Sequence, residues 1–128
     1  MNEPTFERVD DLVAHARVPE RGILSQTISD LDDVRVVLFS FAPGEELSEH
    51  AAARPAVIEI VSGDADLAVA GEAFPGRAGT WVRMPPRTPH SIRATTPLVL
   101  LLTLLPAIDR AAPAPGADPW ASRSDPRV

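Results

Sequence analysis

The chain reads as an all-β fold, a sandwich or barrel closed around one core. Three observations carry that reading. Eight short apolar or β-branched runs succeed one another between residues 23 and 105, each about the length of an ordinary strand. Turn residues separate them at regular intervals, among them Pro43-Gly44, Ser62-Gly63-Asp64, Gly71, Gly79 and Pro85-Pro86. Two of the runs, 34–41 and 98–105, are apolar at almost every position, as strands covered on both faces are. At 128 residues the chain suffices for one such core and not for two.

The segment 1–19 reads as an N-terminal extension. Val9, Leu12 and Val13 fall at helical spacing after Asp10-Asp11, so a short helix near residues 8–16 is predicted. His15 lies on it and is read as a surface histidine without a ligand role. Pro19 and Gly22 end that segment, and a barrel is expected over 20–106. Its strands are placed at 23–28, 34–42, 47–52, 56–61, 65–70, 80–84, 89–94 and 98–105. Alternation along 80–84 sends Val82 and Met84 inward and Trp81 and Arg83 outward. The double-sided runs need a cover besides the opposite sheet, which is assigned to a partner subunit or to the N-terminal segment, with a homodimer favoured. From 107 to 128 the chain is rich in proline and alanine. Little apolar bulk is available there to offset ordering entropy, so a disordered tail is expected, pinned at most by Trp120.

Absences prune the chemistry. There is no cysteine, lysine or tyrosine, which excludes disulfides, thiolate ligands, Schiff-base catalysis and phenolate acids. The net charge is −6 with no basic cluster, against nucleic acid or an anionic membrane as partner. The longest apolar run, 97–106, is too short to span a bilayer, and the acidic start lacks the pattern of a signal peptide. A cytoplasmic location is the default expectation. Proton or metal chemistry is left to three histidines and the carboxylates.

Two of those histidines sit in framed motifs. The first runs Gly44-Glu45-Glu46-Leu47-Ser48-Glu49-His50-Ala51-Ala52 and continues to Ser62-Gly63. The second runs Gly79-Thr80-Trp81-Val82-Arg83-Met84-Pro85 and continues to Pro89-His90-Ser91-Ile92. Together they resemble the two halves of the cupin signature, with its glycines, its proline, its first histidine and its last at matching spacing. The stretch from His50 through Ala52 and Ala56 to Gly63, with the apolar final run 100–105, is similar to small single-domain bacterial cupins of the conserved-barrel type. The resemblance covers about residues 20–106. It implies a single-domain cupin, a double-stranded β-helix or jelly-roll barrel with a short N-terminal helix. The family's metal motif is degenerate here, because Ala52 stands for its second histidine, Ala56 for its glutamate, Arg87 for a turn glycine and Ala94 for its asparagine.

In the family's arrangement His50, His90 and the residues at 52 and 56 would converge at the barrel mouth. A divalent ion such as zinc, iron, manganese or nickel takes at least three protein ligands, and alanine supplies none. Glu59 is the remaining candidate, although simple alternation turns it to the opposite face unless a bulge intervenes. The metal set implied is therefore His50, His90 and, through a bulge, Glu59, and the alternative is no resident metal. The resemblance also implies a mainly apolar ligand pocket of His50, Ala52, Ala56, Ile58, Met84, Arg87, His90 and Ile92, with Phe39 or Phe41 beside them. Each apolar member has core packing as its simpler explanation, and Arg87 has an exposed loop. The leading expectation is a small-molecule-binding cupin with a reduced or absent metal site, and whether it is an enzyme stays open. If it is, the two histidines are its acid/base pair, suited to isomerisation, cyclisation or lyase chemistry on a carbonyl compound. The alternatives are a metal-dependent enzyme, such as a dioxygenase, and a ligand sensor or structural dimer without chemistry.

Overall fold

The computed structural model describes residues 5–107. Among these described residues one short helix, α1 (Leu12–His15), precedes nine strands: β1 (Ile23–Leu31), β2 (Val34–Phe41), β3 (Glu46–His50), β4 (Ala56–Ser62), β5 (Asp64–Val69), β6 (Glu72–Arg77), β7 (Trp81–Met84), β8 (His90–Ala94) and β9 (Leu98–Leu104). They form two antiparallel sheets, five-stranded β1-β2-β9-β4-β7 and four-stranded β3-β8-β5-β6. The all-β reading is met. Among the described residues no helix is long and apolar enough to cross a membrane.

Alternation sorts the side chains between the sheets. From the larger sheet Phe41, Ala56, Ile58, Ile60, Met84, Leu98 and Leu100 turn inward, and from the smaller Ala65, Leu67, Ile92 and Ala94, all at 3% exposure or less. Burying each large side chain contributes about 1.5–3 kcal/mol. Met84 is buried while Trp81 stands 59% exposed, as alternation along β7 requires.

Strand β2 is buried on both faces, as expected. Leu38 and Ser40, pointing away from the core, are fully buried. The cover comes from the chain's own N-terminal segment, which lies over this face. Gln26 Nε2 donates to His15 O at 3.4 Å and Ser29 Oγ donates to Glu7. Helix α1 is shorter than predicted. Asp11 caps it by accepting from Ala14 N at 3.2 Å, and its C-cap Ala16 is already extended.

One strand departs from the expected pattern. Gly71, Pro75 and Gly76 read as punctuation, yet residues 72–77 form β6 at the edge of the smaller sheet. Proline fits an edge strand because its missing N–H can face outward, and Pro75 lies opposite Asp66 with its side chain exposed. Gly76 is buried, and a Cβ at this position would lie only 2.5 Å from Leu67 Cδ1, so this glycine serves packing and not a turn. Strand β3 ends at His50, two residues before the expected limit. The tail expected over 107–128 lies, from residue 108 on, outside the described residues.

Candidate functional site

Strand register places the two motif histidines together. His50 closes β3, His90 opens β8, and they are direct cross-strand partners. Their ring centroids lie 4.3 Å apart at an interplanar angle of 55°. A bulge makes this contact. Leu47 pairs with Ile92 and His50 with His90, so β3 takes three steps where β8 takes two. Regular alternation over these three steps would set His50 on the face opposite Leu47; the bulge absorbs one step, and both stand beside the inward-facing pair Ile92 and His90.

Each imidazole is oriented by a local backbone carbonyl. His50 Nδ1 lies 3.0 Å from Ser48 O and His90 Nδ1 lies 2.9 Å from Thr88 O. A carbonyl oxygen only accepts, so each Nδ1 must be the donor. In the neutral ring the Nε2 lone pair is then left bare. Among the described residues neither Nε2 has a hydrogen-bond partner. His90 is 5% exposed and His50 is open to solvent. The pair thus bridges the core and the rim.

The corner between β7 and β8 frames this rim. Thr88 Oγ1 donates to Pro85 O at 2.8 Å. Arg87 N donates to Ala52 O at 2.6 Å, and Ala70 N donates to Pro89 O at 2.8 Å. The corner is thereby stitched to the β3–β4 loop on one side and to the β5–β6 turn on the other. Arg87 adopts a left-handed backbone with φ 62°, which costs a residue with a Cβ about 1–2 kcal/mol. Its side chain is exposed. Arg54 closes the loop from the other side, donating through Nε to Leu105 O at 2.8 Å and through Nη2 to Leu104 O at 3.4 Å.

The remaining expected site residues divide. Ala52 is half-buried beside the corner, and Ala56 is buried opposite Met84 and Leu104. Ala56, Ile58, Met84 and Ile92 belong to the packed core with Phe41, Leu98 and Leu100. Ile92, two residues from His90 on β8, links this core to the histidine pair. Glu59 does not join them. It is exposed on β4, between buried Ile58 and Ile60, and its partners are Trp81 and Leu101. The bulge in β4 falls between Ile60 and Ser62, past Glu59, and so leaves it on the outer face. Among the described residues no group of three His, Cys, Asp or Glu side chains is placed to share a metal ion. Two imidazole nitrogens with alanine at the flanking positions do not fit a resident metal site, which takes three protein ligands or more. Sequence reasoning missed the carbonyls of Ser48 and Thr88, because backbone acceptors leave no mark in composition. It sought a bulge in β4, where Glu59 needed one, and not in β3.

Comparison with known proteins agrees with this architecture. Residues 37–104 match the family model described as cupin domain. Among solved structures, a conserved protein of unknown function from Streptococcus pyogenes is 25% identical, with a TM-score of 0.72 over 84% of this chain and 95% of that one. A cupin superfamily protein from Desulfitobacterium hafniense is 24% identical, with a TM-score of 0.72 over 80% of this chain and 94% of that one. An RmlC-like cupin from Shewanella frigidimarina is 26% identical, with a TM-score of 0.64 over 69% and 79%. No curated protein matches the chain.

Proposed function

The chain belongs to the cupin domain family, and from that premise we propose that it binds a small organic molecule at the rim where His50 and His90 meet. The observation that supports this most is the pair of bare Nε2 atoms on imidazoles whose other nitrogens are committed to backbone carbonyls. Two oriented acceptors beside an apolar core are the usual makings of a small-molecule site, where a few polar groups set the pose and apolar surface supplies affinity. If the bound molecule is also turned over, one Nε2 can take a proton from one atom of it and return that same proton to another. That suits isomerisation, cyclisation or lyase chemistry next to a carbonyl.

Fragment screening by ligand-observed NMR tests this reading. Hits should compete with one another and disappear in His90→Ala while that variant remains folded; hits that persist in it overturn the proposal. A metal-dependent reading makes a different demand. Untagged protein, purified without nickel and dialysed against a mild chelator, should carry far less than one metal ion per chain by elemental analysis. Stoichiometric iron, manganese or zinc would replace the organic-ligand reading with a metal centre.

A further inference from the structure

Among the described residues, four other than glycine adopt the left-handed backbone: Asp32 (φ 54°), Asp33 (φ 62°), Ala70 (φ 51°) and Arg87 (φ 62°). Three have an evident reason. Asp32 and Asp33 form the two-residue link between β1 and β2, where Leu31 pairs with Val34. Ala70 and Gly71 form the link between β5 and β6, where Val69 pairs with Glu72. Two-residue hairpins with positive φ at both central positions match the twist of their strands. Arg87 is not in a hairpin. It follows Pro86 in the corner between β7 and β8, at the turn position where a glycine is unstrained.

The backbone there needs nothing from the arginine side chain. The bond from Arg87 N to Ala52 O would form equally from glycine. Its guanidinium has no hydrogen bond or ion pair among the described residues. Arg54 and Arg93 are placed differently. Arg54 is consumed by the carbonyls of Leu104 and Leu105, and Arg93 stands across from Glu46 and Asp66 on the smaller sheet. Arg87 thus leaves an uncompensated cation at the rim of a chain whose net charge is −6. Its position relative to the histidines is fixed from two sides. Its N–H holds the carbonyl two residues after His50, and the carbonyl of the next residue, Thr88, orients His90. At most about 10 Å of extended backbone separates Arg87 from His90.

We infer that Arg87 selects the ligand: it holds the carboxylate or phosphate of a small organic anion while the bare Nε2 atoms of His50 and His90 accept from that molecule's other polar group. The inference rests on the ligand site proposed above. A guanidinium is suited to this task because its planar fork binds both oxygens of such a group at once. A strained arginine where glycine is at ease is then a functional choice.

The test compares 2-hydroxyisobutyrate, 2-hydroxypropyl phosphate and the neutral 2-hydroxyisobutyramide, each with a hydroxyl for the imidazoles, by titration calorimetry and NMR. Wild-type protein should bind one or both anions at least about tenfold more tightly than the amide. The stronger of the two identifies the headgroup. Arg87→Gly should remove that preference and leave the melting temperature unchanged or a few degrees higher, since the left-handed strain is relieved. Arg87→Lys should keep part of the preference, because it restores charge without the fork. Arg87→Asn, which tolerates the same backbone, repeats the Gly comparison with a side chain present. Wild-type protein that binds neither anion better than the amide overturns the inference, as does a preference that survives in the Gly and Asn variants. His90→Ala separates this from the site itself. If it leaves all three affinities unchanged, the rim site falls. If it weakens all three while Arg87→Gly leaves their ratio intact, only the role of Arg87 falls.

Discussion

The two ends of the barrel are built on opposite terms. At one end, Gly63 stands against the chain entering β9: a Cβ there would lie 2.1 Å from Pro97 O. Gly76 is pressed between Leu67 and Ile60, and the Gly44 and Gly79 amides bond Ala94 O and Ile60 O. At the other end His50, His90, Ala52 and Arg87 gather, with one imidazole in solvent and one backbone under strain. Glycines let backbones close in where no side chain fits. Imidazoles and a guanidinium gather at the other end, where we propose that a small molecule is met. The motif residues that carry family membership are thus split by task, the glycines at one end and the histidines at the other.

Substitutions can break or sharpen that contrast. The largest effect is expected from Gly63→Ala, which sets a Cβ against fixed backbone at a φ of +94°. It should cost more than about 3 kcal/mol in urea unfolding, and a stable variant would remove the contrast. Gly76→Ala meets only the ends of Leu67 and Ile60 side chains, which can turn aside, so about 1–2 kcal/mol is expected from the same measurement. His90→Ala loses one carbonyl bond and the ring contact. It should cost about 1 kcal/mol of stability while eliminating fragment binding by NMR. The smallest effect belongs to Glu59→Gln. This side chain is exposed on the outer face, so stability should stay within about 0.5 kcal/mol and metal content should not change by elemental analysis.

Much of the fold is legible in the sequence because it is written in alternation and punctuation. The apolar runs at 34–41 and 98–105 announce strands with two buried faces, and β2 has them. Proline and glycine mark nearly every turn. The same rule conceals β6, where Pro75 and Gly76 lie inside an edge strand. The site is legible in its residues and less so in its geometry. His50 and His90 do meet, but a bulge that absorbs one step of β3 aligns them, and bulges carry no reliable sequence signal. Glu59 would need a bulge that the chain places two residues too late. Arg87 can be seen in the sequence to replace a turn glycine. That the substitution leaves the backbone left-handed and the guanidinium free emerges only from the structure.

The bulge between Leu47 and His50 has a second consequence, for solubility. β3 is an edge of the smaller sheet, and an edge strand offers unpaired amides and carbonyls to any passing chain. The other edges are blunted by familiar means: Pro75 in β6, a register shift between Thr27 and Ser29 in β1, and a length of four residues in β7. In β3 the bulge and the exposed Glu46 and Glu49 serve that purpose. One irregularity therefore aims an imidazole and guards against strand-to-strand aggregation. Deleting Ser48 would leave two steps between Leu47 and His50, as between Ile92 and His90, so it should straighten β3 and flatten its edge while the histidines stay opposed. A tendency to self-associate would then arrive with the histidine pair still in register.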